Sequence, residues 1–136
     1  MAVVLDTSMT MAWCFEDEAT VESDRVLSLV AAEGAVVPAL WRYEVANVFV
    51  IAERRERITR AKAAAMNQLL DDLPISLAPS EPTREETMAA ARDSGLTAYD
   101  ATYLLLAQRL GLPLASLDAP LCRAAAATGV ALVSQP

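Results

Sequence analysis

The stretch AVVLD, residues 2–6, decides how the rest of the chain is read. Ala2–Leu5 is apolar at every position and ends on the carboxylate of Asp6. A strand with one wet face alternates apolar and polar residues, whereas a strand covered on both faces does not. Ala2–Leu5 therefore predicts a short strand inside a covered sheet, with an acid at its carboxyl end.

Working outward, short apolar runs recur between helix-length segments. Ala35–Val37, stopped by Pro38, reads as a second strand, followed by Ile75–Leu77, Leu114–Leu117 and Val130–Val133. Between them, helices are expected over Asp17–Ala32, Leu40–Arg57, Thr59 to about Leu73, Thr83 to Ser94–Gly95, and Thr97–Leu110. A last helix starts at Asp118 or Ala119 and ends near Thr128–Gly129. Thr59 is an N-cap, Pro74 is a stop, and Gly34 and Gly111 stand just past helix ends. Strands alternating with helices, each strand short and unalternating, predict the α/β class: a three-layer α/β/α sandwich around a parallel sheet with right-handed crossovers. The helices over 40–57 and 59–73 follow one another with no strand between, so a helical arm is expected around residues 40–73.

At 136 residues and 54% hydrophobic composition, the chain has the size of one domain and enough apolar surface for a core. Its longest apolar runs, such as Ala35–Trp41, fall well short of the roughly 18 residues of a membrane span. The start MAVVLD lacks the basic and long apolar regions of a secretory signal. A cytoplasmic protein with no membrane partner is expected. Cys14 and Cys122 make no disulfide framework and read as inert thiols. With no histidine in the sequence, Ser-His-Asp and Cys-His chemistry and imidazole ligation are excluded. A metal here would be held mainly by oxygen, which suits Mg²⁺ or Mn²⁺.

The formal net charge is −7, yet between Arg42 and Lys62 six basic residues (Arg42, Arg54, Arg55, Arg57, Arg60 and Lys62) face three acidic ones. That window is +3 and the remainder −10. It reads either as a basic patch for a polyanion or as a solvated helix end with pairs such as Glu53–Arg57 and Glu56–Arg60.

Ligands of open parallel sheets bind beyond the carboxyl ends of the strands. Four acids are expected at that rim. Asp6 follows the first strand and Asp118 the LASL strand; Glu44 lies one turn into the helix after the second strand, and Asp100 lies in the first turn of its helix. Glu44 shares a face with Val48 and Ile51, and Asp100 with Leu104 and Ala107, so each tops a core-facing stripe. Capping is the competing role: Thr97 with Asp100 forms an imperfect capping box, and Asp6 and Asp118 fit N-caps. Two carboxylates about 4 Å apart repel by roughly 4 kcal/mol at an effective dielectric near 20, which a divalent cation would reverse. Ser8 and Ser116 stand where hydroxyls orient a ligand or water.

The motifs VVLDTS, WRYEVANV, LTAYDATYLLLA and LASLDAPL, in that order over essentially the whole chain, resemble the PIN-domain family, and within it the VapC-type toxins of type II toxin–antitoxin pairs. The resemblance implies a single PIN-like domain over residues 1–136 and a Mg²⁺- or Mn²⁺-dependent endoribonuclease. It matches Asp6, Glu44, Asp100 and Asp118 to the family's acidic quartet, as catalytic and metal-binding residues, and Ser8 to a frequent hydroxyl position. It implies RNA as substrate, a homodimer and a cognate antitoxin. One departure is Pro120, where some relatives carry another acid or Asn. Arg54, Arg55, Arg57, Arg60 and Lys62 are candidates for RNA contact. Val48, Phe49, Val50 and Ile51 cover the whole circumference of one helix, so a partner interface or simple burial must cover the face turned from the sheet. Two rival readings stay open. One is a non-catalytic PIN-like module whose acids are caps. The other is an aspartyl-phosphate enzyme, for which Ser8 stands where a second Asp is usual and the sole lysine, Lys62, lies on the helical arm.

Overall fold

The computed structural model describes residues 1–133. Its elements are β1 (Val3–Leu5), α1 (Thr7–Cys14), a 3₁₀ turn over Glu16–Glu18, α2 (Val21–Glu33), β2 (Ala35–Val37) and α3 (Ala39–Arg54). They continue with α4 (Arg60–Asp72), β3 (Ile75–Leu77), α5 (Arg84–Ser94), α6 (Ala98–Leu110), β4 (Leu114–Ala115) and α7 (Ala119–Ala127). The four strands form one sheet in the order β3-β2-β1-β4. Every pairing is parallel, with Val3 opposite Ala35, Val4 opposite Leu114 and Val37 opposite Leu77. The fold is the expected α/β type, a parallel sheet flanked by helices.

Val3, Val4 and Leu5 are wholly buried, and each contributes about 1.5–3 kcal/mol by leaving water. α6 packs on β1 and β4 and is flanked by α5 and α7; α1 packs on α2 and α3. α3 and α4 pack on each other as the helical arm, and β3 follows them to extend the sheet beyond β2. Gly34 turns the chain from α2 into β2 at φ 89°, and a Cβ there would lie 3.1 Å from the carbonyl of Pro74. A side chain is thus excluded on two counts.

Several boundaries differ from the sequence reading, each for a local reason. α1 has no amphipathic stripe because Met9, Thr10, Met11, Ala12 and Cys14 are all buried, so only its cap, Asp6, is legible. α2 starts at Val21, not Asp17, because Thr20 and Ser23 close a capping box there. α3 ends at Arg54 rather than Arg57, and Glu56 takes a left-handed φ of 56° in the turn that follows. β4 stops at Ala115, two residues early, because the Ser116 side chain turns to Asp6. Over Val130–Val133 there is no full strand; Leu132 makes a single parallel bridge to Leu114. No helix among the described residues is long and apolar enough to cross a membrane.

Candidate active site

β2 and β3 lie on one side of β1, and β4 on the other. The chain therefore reverses its winding direction between β1 and β4, the place where open α/β sheets form a crevice. Asp6 leaves β1 and Ser116 leaves β4 at that point, one residue beyond the paired Leu5 and Ala115.

Asp6 is 3% exposed. Its Oδ1 accepts from the Met9 N–H at 3.0 Å, which makes it the N-cap of α1. The Ser8 hydroxyl lies 2.8 and 2.9 Å from its two oxygens, and the Ser116 hydroxyl donates to Oδ2 at 2.5 Å. Both serines also accept from the next loop. The Leu117 N–H donates to Ser8 Oγ at 2.9 Å, and the Asp118 N–H to Ser116 Oγ at 3.0 Å. The DTS and LASLD motifs are thereby tied into one hydroxyl-lined cradle. Burial pushes the Asp6 carboxyl up to about 6; the hydrogen bonds from Ser116, Met9 and Ser8 oppose the rise, and the charge of Asp118 adds to it.

Glu44 sits on α3, and its Oε1 accepts from two hydroxyls, Tyr103 at 2.5 Å and Thr7 at 2.9 Å. Thr7 and Tyr103 are themselves 3.0 Å apart. Burial and the adjoining Glu44 push the Tyr103 phenol far above its ordinary range, so it stays a donor. Neither Thr7 nor Tyr103 is picked out by sequence reasoning. The available signals are the position of Thr7 between Asp6 and Ser8 and the helical spacing of Tyr103 from Asp100, which puts both on one face of α6.

Asp100 behaves differently. Thr97 caps α6 by accepting from the Asp100 N–H at 3.2 Å, but the carboxylate does not return to the Thr97 backbone. The box is half formed, and among the described residues no donor reaches the Asp100 side chain. Its pKa is raised by partial burial first, then by the charges of Asp118 and Glu44. Asp118 caps α7, its Oδ2 accepting from the Leu121 N–H at 3.0 Å. Pro120 falls in the first turn of α7, where a missing N–H costs nothing.

The four acids thus share one rim: the charge of Asp118 raises the proton affinity of Asp6 and Asp100, the charge of Glu44 raises that of Asp100, and none of the four is ion-paired among the described residues. They are not drawn together tightly: among the described residues no group of three Asp, Glu, Cys or His side chains stands ready to hold one ion. The donor set is nonetheless all oxygen and uncompensated by cations, which is the chemistry of a Mg²⁺ or Mn²⁺ site.

The basic cluster stands elsewhere. α3 carries Arg54 about 15 Å along its axis from Glu44, at 1.5 Å per residue. Arg57 is engaged there, 2.9 Å from Asp17, 3.2 Å from Glu18 and stacked 4.1 Å over the Phe15 ring. The Glu53–Arg57 and Glu56–Arg60 pairs of the solvated-helix alternative do not form among the described residues, because the helix that would space them ends at Arg54. Arg54, Arg55, Arg60 and Lys62 are exposed and carry no ion pair among the described residues. Of the apolar run, Phe49 is buried, Val48 and Ile51 are half-buried, and Val50 is 39% exposed. Phe49 and Val50 line a cavity of about 590 Å³ between α3 and α4. Cys14 and Cys122 are free thiols, and burial pushes the Cys14 thiol up to about 11, in the unreactive direction.

The sequence model of the PIN domain matches residues 3–127. The chain belongs to the PIN-domain family. PIN domains are typically Mg²⁺-dependent nucleases, generally acting on RNA. Among solved structures, the crystal structure of PAE2754 from Pyrobaculum aerophilum resembles this PIN domain with a TM-score of 0.69 and 26% identity, over 91% of this chain and 87% of that one. No curated protein sequence matches the chain at a significant level.

Proposed function

We propose that this PIN domain, taken as one domain over residues 1–136, is a metal-dependent endoribonuclease and serves as the toxin of a VapC-type toxin–antitoxin pair in the cytoplasm. The observation that carries the catalytic part is Asp100: a half-buried carboxylate with no donor among the described residues, under the charges of Asp118 and Glu44. A group so placed costs stability and returns nothing to the fold, which suits a cation ligand. Asp6 and Asp100 would hold the principal Mg²⁺ or Mn²⁺, with Glu44 and Asp118 completing the site. When bound, that ion supplies an acidified water and neutralises charge on the scissile phosphate.

The protein's own part is positioning. Thr7 and Tyr103 occupy Oε1 of Glu44 and leave its Oε2 without a protein donor among the described residues. Ser8 and Ser116 hold Asp6 in place and couple it to the Asp118 loop. In this reading Glu44 and Asp118 orient the attacking water on the phosphate. Arg54, Arg55, Arg60 and Lys62, at the far end of α3, attract the RNA backbone at a distance rather than at the reacting phosphate. The exposed Val50 and the α3–α4 cavity suit a homodimer contact or an antitoxin helix. Purified protein is expected to cleave RNA with Mg²⁺ or Mn²⁺ and to stop with EDTA. Cleavage that survives EDTA, or survives Asp6→Asn and Asp100→Asn, removes the mechanism. The toxin role is tested by growth arrest on expression, relieved by the product of an adjacent short gene.

A second reading has its own support. Asp6 and Asp118 both serve as N-caps, which is what a non-catalytic module would need of them. That reading predicts no thermal response to Mn²⁺.

A further inference from the structure

An open apolar cavity of about 320 Å³ lies between the starts of α5 and α6, with Leu40 of the first turn of α3 in its wall. Its wall is built on the same helix starts that carry two of the acids. Tyr99, in its wall, immediately precedes Asp100. Leu40, also in its wall, lies one helical turn before Glu44 on the same face of α3. The cavity and the acids therefore share the first turns of α3 and α6, and an RNA strand held at the acids would run past the cavity.

The lining is suited to a flat, aromatic occupant. Tyr99 is 63% exposed and Met88 42% exposed, a cost in apolar surface that the fold does not recover. Glu81, on the rim, has its Oε1 occupied by the Ala39 N–H at 2.7 Å. Arg84, also on the rim, has no ion pair among the described residues, so its charge is available to a phosphate or a base carbonyl. The volume lies at the lower end of small-ligand sites, about 300–1,000 Å³. Unpaired RNA bases are recognised by stacking on aromatic side chains, whereas bases in a duplex are not accessible to such a wall.

We infer that the cavity formed by Tyr99, Met88, Leu40 and Arg84 receives one unpaired base of the RNA adjoining the scissile phosphate, with Tyr99 as the stacking platform. The inference rests on the ribonuclease reading. Loss of a base-stacking side chain weakens binding by about fivefold to a hundredfold.

The test uses short single-stranded RNA carrying 2-aminopurine, whose fluorescence falls when it stacks, together with cleavage of the same RNA in Mn²⁺. Binding to the unaltered protein is expected to quench the probe. Tyr99→Ala should abolish most of the quenching and raise KM at least fivefold, and Tyr99→Phe should restore both. The same RNA in a duplex should not be quenched. Equal quenching and equal KM for Tyr99→Ala and the unaltered protein overturn the pocket, even if RNA is cleaved. So does equal binding of duplex and single strand. Quenching that depends on Tyr99 without any cleavage in Mn²⁺ keeps the pocket and overturns the nuclease instead. Failure of the unaltered protein to bind the single strand, with a protein or second copy of this chain occupying the cavity, overturns the inference outright.

Discussion

Tyr103 on α6 donates a hydrogen bond to Glu44 on α3 across 2.5 Å, and Thr7 from α1 reaches the same carboxylate oxygen at 2.9 Å. Three helices therefore converge on one oxygen atom. The contact fixes the rotamer of a carboxylate whose charge is felt by Asp100, and it works without any charge on the donors.

The phenol can be removed with little change in shape. Tyr103→Phe keeps the buried ring and deletes one donor to Glu44. About 1–2 kcal/mol of stability is expected to go with it, and cleavage in Mn²⁺ should slow about tenfold, the scale on which partners of metal ligands act. Thr7→Val should act in the same direction and less than additively, since both donors serve one atom. Steady-state kinetics and thermal melts check this. Loss of stability with an unchanged rate would make the clamp purely structural.

Asp6 should make the cation-free protein less stable at neutral pH. Its carboxyl titrates near 6 in the folded chain against 3.8 for the free group. Between those values the folded state holds the proton and the unfolded state does not, so this group favours folding at low pH. The benefit is full below about 4 and lost as the pH rises through about 6. The cost above pH 6 is about 3 kcal/mol by the usual conversion. In EDTA, Asp6→Asn is therefore expected to be more stable than the unaltered chain at pH 7–8, with the difference fading towards pH 4. Denaturant melts over that range are the measurement. A variant less stable at pH 8 than at pH 4, relative to the parent, would reverse the sign and the argument.

The basic residues divide in two. Arg57 bridges α3's end to Asp17, Glu18 and the Phe15 ring, so Arg57→Ala should lower the melting temperature and leave RNA affinity nearly unchanged. Arg54→Glu with Arg60→Glu should do the opposite, and should flatten the dependence of RNA binding on salt by roughly one unit of slope per lost contact. Filter binding at several salt concentrations separates the two sets.

The sheet was legible because its strands are buried on both faces. Val3–Leu5 and Ala35–Val37 carry the unalternating pattern that only a covered parallel sheet requires. Caps were legible for the same local reason, as Thr59, Thr83, Thr97 and Gly111 each act within one turn. What local patterns do not encode is contact between distant segments. The clamp of Thr7 and Tyr103 on Glu44 joins residues 37 and 59 positions away from it, and the reach of Ser116 to Asp6 spans 110 positions. In the sequence Arg57 reads either as part of an open patch or as a partner of Glu53, because its true partners lie 39 and 40 residues earlier. α1 escaped because a helix buried on all sides has no stripe.

The central claim, that the four acids share a divalent cation, is tested most directly by melting the purified chain against increasing Mn²⁺, with Asp100→Asn in parallel. Asp100 suits the comparison because its carboxylate takes part in no cap. Occupancy at a hundredfold excess over Kd is worth about 2.7 kcal/mol, which should raise Tm by about 5 °C or more. The account predicts that rise for the unaltered chain and its loss in Asp100→Asn. A melting temperature indifferent to Mn²⁺, or an equal rise in both proteins, would contradict it.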